Sequence, residues 1–139
     1  MQNMKAYIAG PLFNEGERWW VEELEKAVAS IGFETFLPHR DNPPKTPETV
    51  QTIFENNRKG IEHADILIAN LNGITTDDGT AWELGYAAAL KKPSIGIFTD
   101  WRTRFGGDEV VNLMIGRSLE NVVHSLDELV GVLTSWKKS

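Results

Sequence analysis

Short apolar segments alternate with amphipathic segments along the whole chain. The clearest apolar segment covers residues 65–71, where Ile66, Leu67, Ile68 and Ala69 follow one another directly. A continuous apolar run of this length is typical of a β-strand that is covered on both faces. Four other short runs predict further strands, at residues 5–9, 33–37, 94–98 and 121–124.

Apolar residues at helical spacing fill most of the chain between these strands. Asn14 followed by Glu17 indicates a capping box, and Pro47 after Thr46 indicates a second helix start. The loop at residues 38–47 contains four prolines and is expected to hold no regular structure. Helices are predicted at residues 14–32, 47–61, 77–90, 109–115 and 125–136.

Strands that alternate with helices through short connections imply a parallel sheet with right-handed crossovers. We therefore expect one α/β domain over residues 1–139, with a doubly wound, five-stranded parallel sheet and helices on both faces. In such a sheet the loops that follow the strands share one edge. The loops at residues 10–14, 72–79 and 99–108 should converge at that edge.

Charge and composition exclude several classes of function. The formal net charge is −6 and the chain has no run of basic residues, so we expect no nucleic-acid partner and no binding to an anionic membrane. The absence of cysteine excludes disulfides and thiolate metal sites. The longest uncharged run, residues 66–76, is too short to span a bilayer. The first residues enter a strand pattern without a secretory signal, so we expect a cytoplasmic protein.

Glu83 is the only charged side chain between Thr80 and Leu90. The other residues of this segment are apolar around nearly the whole circumference of a helix, which is typical of a helix that is buried on several sides. An ionised carboxylate in such surroundings costs several kcal/mol unless it is paired. Glu83 is therefore expected to open into a cleft near the helix start, with Asp77 as a candidate N-cap six residues earlier. The alternative is a capping or ion-paired residue on a surface helix.

Most familiar catalytic motifs are missing from the sequence. The chain has no Walker phosphate loop, no GxGxxG motif and no nucleophile elbow, and its three histidines lack the spacing of metal ligands. We expect neither a metal nor a cofactor. The remaining chemistry is that of carboxylates, from Glu83 and Asp77, together with the Tyr7 hydroxyl.

Four segments together resemble the nucleoside 2-deoxyribosyltransferase family. The resemblance covers nearly the whole chain and implies a flavodoxin-like fold that acts on 2'-deoxynucleosides and free nucleobases. The matching segments are residues 7–13 (Tyr-Ile-Ala-Gly-Pro-Leu-Phe), 65–71 (Asp-Ile-Leu-Ile-Ala-Asn-Leu), 77–87 (Asp-Asp-Gly-Thr-Ala-Trp-Glu-Leu-Gly-Tyr-Ala) and 112–114 (Asn-Leu-Met).

The resemblance implies catalytic roles for Glu83, Asp77 and Tyr7. Glu83 would be the nucleophile that attacks the anomeric carbon, and a second base would then resolve the covalent deoxyribosyl intermediate with retention of configuration. Asp77 would assist protonation of the leaving base, and Tyr7 would orient Glu83 by a hydrogen bond. Phe13 would stack on the base. The alternatives are a plain N-cap for Asp77 and core packing for Tyr7 and Phe13.

The resemblance also implies a substrate-binding set. Gly10 and Gly79 would line the site, and Asn57 would contact the base, although a solvated helix position is the alternative for Asn57. Asn112 and Met114 would contact the sugar bound by a neighbouring subunit, so the protein would be a homo-oligomer of at least two chains. The alternative is that the segment containing Met114 belongs to the core.

Two rival functions remain open. The first is hydrolysis of a nucleoside 5'-monophosphate at its N-glycosidic bond, and it is disfavoured because Glu15 and Glu17 in and after the first loop would repel a phosphate. The second is a non-catalytic nucleoside-binding module, which would not need a desolvated Glu83. The loop at residues 99–108 resembles a lid over the site, although a solvated loop explains it nearly as well.

Overall fold

The fold is a five-stranded, all-parallel sheet in the order β2-β1-β3-β4-β5. The computed structural model describes residues 3–103 and 109–138. This strand order is that of the flavodoxin-like doubly wound folds, so the predicted fold class is confirmed. The strands are β1 (Lys5–Ala9), β2 (Glu34–Phe36), β3 (Ile66–Asn70), β4 (Ser94–Ile97) and β5 (Asn121–Val123).

Helices connect the strands and depart from the predicted bounds in three places. The helix expected at residues 109–115 begins only at Leu113, because Asn112 caps it there. The loop at residues 38–47 was expected to be irregular, but it contains a short helix stabilised by Asp41, whose carboxylate accepts a hydrogen bond from the Leu37 amide. The next helix was expected to start at Pro47, but it begins at Val50 because Thr46 and Thr49 form a separate turn. The helices are α1 (Glu15–Ser30), α2 (Pro38–Asp41), α3 (Val50–His63), α4 (Asp78–Ala89), α5 (Leu113–Gly116) and α6 (Leu126–Lys138).

Two hydrophobic cores lie on opposite faces of the sheet. Ala6 and Ile8 of β1 pack with α1 and α6, whereas Tyr7 and Ala9 of the same strand pack with α3 and α4. This division follows from the alternation of side chains along a strand. It places the Tyr7 ring on the face that α3 and α4 cover.

The sheet order reverses between β1 and β3, and this is where doubly wound folds bind ligands. The loops after β3 and β4 meet at the carboxyl edge as expected. Asn72 donates to Thr99 Oγ1 over 2.8 Å and accepts from the Thr99 amide over 2.7 Å, while the Gly73 amide donates to Asp100 over 3.0 Å. Residues 104–108 of the expected lid lie outside the described residues.

The helices offer no candidate for a membrane span. Within residues 3–103 and 109–138, none is long and apolar enough to cross a bilayer.

Candidate active site

Tyr7 and Glu83 are joined by a hydrogen bond at the centre of the candidate site. The Tyr7 hydroxyl donates to Oε2 of Glu83, which lies in the second turn of α4. The Tyr7 ring is fully buried and stacks on Phe36 of β2 with 5.3 Å between ring centroids. Packing therefore fixes the ring, and the hydrogen bond fixes one oxygen of the carboxylate.

The surroundings of Glu83 disfavour its charge. Burial raises the pKa of its carboxyl from the ordinary value of 4.5 to about 7, the hydrogen bond from Tyr7 lowers that pKa, and the negative charge of Asp77 raises it. Burial and the charge of Glu83 together raise the pKa of Tyr7 above its usual range. Tyr7 is thus a constant hydrogen-bond donor, and Glu83 exchanges its proton near neutral pH.

Asp77 is both an N-cap and an electrostatic neighbour of Glu83. Its Oδ2 accepts hydrogen bonds from the amide and the hydroxyl of Thr80, each over 2.9 Å. Both of these bonds fall on one oxygen, and capping satisfies an amide that has no partner within the helix. The capping alternative for Asp77 therefore describes its local structure without removing it from the site.

Gly10 and Phe13 of the loop after β1, and Gly79 of α4, differ in how closely they are surrounded. Gly10 lies where a side chain would not fit, because a Cβ there would be 2.8 Å from Val21 and 3.0 Å from Asn70. Phe13 is 76% exposed, so it is not a core residue, and its amide donates to Glu17 over 2.9 Å. Gly79 lies exposed in the first turn of α4, where a Cβ would be 3.4 Å from Asp77.

Asn57 lies on α3 between a residue that contacts Trp82 and a residue that contacts Tyr7. Phe54, one turn before it, packs edge-on against Trp82, the neighbour of Glu83, with 5.6 Å between ring centroids. Gly60, three residues after Asn57, is so close to the Tyr7 ring that a Cβ there would lie 3.2 Å from it. Residues three apart share a helix face, so Asn57 lies between these two contacts.

Asn112 and Met114 are exposed near the start of α5. Met114 is 74% exposed, which excludes the alternative that it is a core residue, although Val111 and Ile115 do pack against the core. The side-chain Oδ1 of Asn112 caps α5 by accepting from the Met114 amide over 2.9 Å. No hydrogen bond between the described residues joins Asn112 or Met114 to Glu83 of the same chain.

Two contributors to this region were missed by sequence reasoning. Phe36 stacks on Tyr7, and Asn42 bonds to the side chain of Asn57 over 2.7 Å. Both come from segments that carry no recognisable motif, and the pairing of β1 with β2 brings Phe36 beside Tyr7.

Two cavities of the described residues lie away from Glu83. One of about 800 Å³ lies beside β5 and α6, and another of about 360 Å³ lies between the start of β1 and α3. Neither of these two cavities is lined by Glu83, Asp77 or Tyr7. Among the residues that the structure describes, no three His, Cys, Asp or Glu side chains are grouped so as to hold a metal ion.

Sequence and fold are both similar to known proteins. The model of the family described as nucleoside 2-deoxyribosyltransferase matches residues 6–124. The uncharacterized protein UU063 of Ureaplasma parvum serovar 3 is 33% identical over 132 residues, covering 80% of each chain. The 2-deoxyribosyltransferase of Bacillus psychrosaccharolyticus has a TM-score of 0.77 at 30% identity, covering 91% of this chain and 90% of that one. The CMP N-glycosidase BcmB of Clostridium botulinum shares the fold alone. It is 19% identical with a TM-score of 0.60, covering 95% of this chain and 98% of that one.

Proposed function

The chain belongs to the nucleoside 2-deoxyribosyltransferase family, and we propose that it transfers 2-deoxyribose between nucleobases through a covalent ester on Glu83. One observation carries the proposal. A carboxylate with a pKa near 7 is held by the Tyr7 hydroxyl beside the point where the sheet order reverses. Perturbed carboxylates in a cleft at such a point are characteristic of catalytic sites.

In the first step Glu83 displaces the leaving base. Tyr7 occupies Oε2, which leaves Oε1 to attack the anomeric carbon of a 2'-deoxynucleoside. The new C–O bond forms as the C–N glycosidic bond breaks, and the electron pair of that bond stays on the base nitrogen. A carboxylate suits this step because the transition state resembles an oxocarbenium ion.

In the second step a nitrogen of another base attacks the same carbon and displaces the Glu83 carboxylate. Two inversions give overall retention of configuration. The burial that raises the Glu83 pKa supports this role, because a poorly solvated carboxylate is a stronger nucleophile and a better acceptor of the sugar than one in bulk water.

Asp77, which is negatively charged in the free site, would take up a proton from solvent as the substrate binds and give it to the leaving base. Its Oδ2 is occupied by Thr80, so Oδ1 is the oxygen available to a substrate. General-acid assistance of this kind contributes about 10² to 10⁴ in rate. In the proposed reaction the same group takes a proton from the incoming base and is restored for the next turnover.

The first loop supports transfer over hydrolysis of a nucleoside 5'-monophosphate. A phosphate is usually held by free backbone amides and cationic side chains. Here the Phe13 amide is bonded to Glu17, and the Glu17 amide is bonded to Asn14 over 2.8 Å. The loop therefore offers a phosphate two occupied amides and a carboxylate.

We propose that a second chain completes each site. Phe13, Met114 and Trp101 are large apolar side chains with exposures of 76%, 74% and 81%. A contiguous patch of exposed apolar side chains is characteristic of an interaction surface, and we propose that these three side chains contribute to one. Asn112 and Met114 of one protomer would contact the sugar that Glu83 of its neighbour attacks, and this contact would exclude water from the ester.

One assay separates the three candidate functions. The protein is incubated with free adenine and either deoxyinosine or deoxyinosine 5'-monophosphate, and the products are separated by chromatography. Formation of deoxyadenosine supports transfer, release of hypoxanthine without deoxyadenosine supports hydrolysis, and binding without either product supports a nucleoside-binding module. The Glu83→Ala protein is the control, and it should form neither product.

A further inference from the structure

Three asparagine side chains form a connected amide network beside the candidate site. Asn42, in the segment after α2, donates from Nδ2 to the Pro38 carbonyl over 2.9 Å and to Oδ1 of Asn57 over 2.7 Å. Its own Oδ1 accepts from Nδ2 of Asn56 over 3.1 Å. Asn42 thus uses both of its N–H groups and its oxygen within the network.

The network fixes the orientation of the Asn57 amide. A backbone carbonyl such as that of Pro38 can only accept, so it fixes which end of the Asn42 amide carries the N–H groups. The second N–H group of Asn42 then requires an acceptor, and Asn57 must present its oxygen there. The orientation of Asn57 is therefore set by an atom of the main chain.

Because Oδ1 of Asn57 is bonded to Asn42, the Nδ2 amino group is the part of the Asn57 side chain that remains available to a ligand. Within residues 3–103 and 109–138, Nδ2 of Asn57 has no hydrogen-bond partner, because the single bond of this side chain is the one to Asn42. The residue lies on α3 between the turn that contacts Trp82 and the turn that contacts Tyr7. Asn57 therefore presents a pair of N–H donors on the α3 side of the proposed site.

We propose that Asn42 is a positioning residue that locks Asn57 as a hydrogen-bond donor, so that the base subsite prefers nucleobases with a carbonyl oxygen over their amino counterparts. The preferred class comprises 6-oxopurines and 4-oxopyrimidines. The inference rests on the proposed function, since it concerns the base that the transfer reaction would exchange.

The chemistry of the amide explains the preference. A freely rotating asparagine can pair with adenine by accepting from the exocyclic amino group and donating to N7. An asparagine whose oxygen is directed at Asn42 loses the accepting half of that pairing but still donates to a base carbonyl. One such hydrogen bond corresponds to about tenfold in affinity.

The test compares the binding of free hypoxanthine and free adenine by isothermal titration calorimetry, a readout that requires no turnover. The wild-type protein should bind hypoxanthine about tenfold more tightly than adenine. In Asn42→Asp the new carboxylate accepts from Nδ2 of Asn57, so the amide turns its oxygen to the base and the preference should reverse. In Asn42→Ala the amide is released, and the two affinities should converge.

Asn56→Ala is the matched control. It removes one bond from the same network but leaves the bonds from Asn42 to Pro38 and Asn57 in place, so the wild-type preference should persist. Urea unfolding identifies any variant that fails to fold, and one folded Asn42 variant suffices for the comparison.

The outcomes separate this inference from the proposed function. Wild-type protein that binds neither base, or that prefers adenine, overturns the inference, as does a folded Asn42→Ala protein with an unchanged preference. The wild-type protein could prefer hypoxanthine and Asn42→Ala could lose that preference, while deoxyinosine and adenine yield no deoxyadenosine. That result would support the locked base subsite and contradict the transfer reaction. The ratio of KM values for deoxyinosine and deoxyadenosine should follow the affinities, with kcat changed less.

Discussion

The hydroxyl of Tyr7 on β1 donates a hydrogen bond to the carboxylate of Glu83 on α4, a residue 76 positions away in the chain. The contact forms only when β1 pairs with β3, which leads into α4. Burial raises the pKa of the carboxyl, and the hydrogen bond from the phenol partly offsets that rise. Several measurable properties of the protein should follow from this balance.

Replacing Tyr7 by Phe should move the pH dependence of the proposed transfer reaction to higher pH. Glu83 must be ionised to attack, so kcat/KM should rise through pH 7 in the wild-type protein. Loss of a hydrogen bond that lowers the Glu83 pKa shifts this rise upward. At pH 6 the variant should be about tenfold slower than wild type, and the difference should shrink above pH 9. A pH profile of kcat/KM measures both.

Tyr86→Phe is the matched control for Tyr7→Phe. Tyr86 also donates to a carboxylate, that of Glu62, and lies on the same helix as Glu83. Its removal should leave the pH profile in place. A Tyr7→Phe profile that superimposes on that of Tyr86→Phe would contradict the role given to Tyr7.

Replacing Glu83 by Gln should abolish exchange and stabilise the protein above neutral pH. Because burial raises the pKa from 4.5 to about 7, the folded state holds this proton more tightly than the unfolded state does. The stability from Glu83 is therefore complete below pH 4.5 and is lost as the pH rises through 7. At pH 8 the Gln variant should be more stable than wild type by about 3 kcal/mol, and near pH 4 the two should be equal.

Urea unfolding at pH 4 and pH 8 measures this difference in the free energy of unfolding. Glu48→Gln is the control, because Glu48 is exposed and precedes α3 at a distance from the site. For Glu48→Gln, the change in the free energy of unfolding between pH 4 and pH 8 should equal that of the wild-type protein. Equal stability of Glu83→Gln and wild type at pH 8 would show that the carboxylate is well solvated.

The fold could be predicted from the sequence wherever burial imposes a regular pattern. The apolar run of β3 gave the central strand to within one residue at each end, because both of its faces are covered. The α2 helix could not be predicted in this way. It holds no fully buried residue, and its start depends on a hydrogen bond from the Leu37 amide to Asp41.

The site was predictable only where a residue conflicts with its own surroundings. Glu83 could be found because a charge interrupts an apolar helix, and Asp77 because it stands at a helix start. Phe36 and Asn42 give no such signal, since an aromatic residue in a strand and an asparagine after a proline-rich turn are ordinary in sequence. Their positions beside Tyr7 and Asn57 result from tertiary packing.

Replacing Asp77 by Asn should reduce kcat while leaving the start of α4 intact. Asparagine caps helices about as well as aspartate, so the free energy of unfolding should change by less than about 0.5 kcal/mol. Loss of the acid should lower the rate by about 10² to 10⁴. Loss of its negative charge should also move the pH profile to lower pH, opposite to the effect of Tyr7→Phe.

Asp78→Asn provides the comparison for Asp77→Asn. Asp78 is the adjacent exposed carboxylate in the first turn of α4, and its replacement should leave the rate within twofold of wild type. Equal rates for the two variants would reduce Asp77 to a capping residue.

If two chains share each site, inactive variants with lesions in different chains should complement each other. Glu83→Ala removes the nucleophile, and Asn112→Ser with Met114→Ala removes the groups lent to the neighbour while keeping a capping side chain at position 112. After subunits are exchanged in a mixture of the two variants, about a quarter of wild-type activity should return, because half of the dimers are mixed and each mixed dimer has one complete site.

The control for complementation is a mixture of Glu83→Ala and Asp77→Ala. Both lesions lie on the same side of the site, so no mixed dimer has a complete set and the mixture should stay inactive. Sedimentation should also give a mass of at least two chains. A monomeric active enzyme would exclude the shared site.

Replacing Gly60 by Ala should disturb the site through Tyr7 rather than stabilise the helix. In an open helix position, Ala in place of Gly adds about 1 kcal/mol of stability, and Gly131 on α6 is such a position because a Cβ there would have no neighbour within 4 Å. At Gly60 the new Cβ would lie 3.1 Å from Phe36 and 3.2 Å from Tyr7, so this aromatic pair must shift. Crowding of a packed core costs about 1 to 3 kcal/mol, so Gly60→Ala should lower both the free energy of unfolding and kcat/KM. Gly131→Ala should raise the free energy of unfolding and leave kcat/KM unchanged. Urea unfolding and the exchange assay measure both quantities, and a stabilised, fully active Gly60→Ala protein would show that the Tyr7 ring is not held by packing.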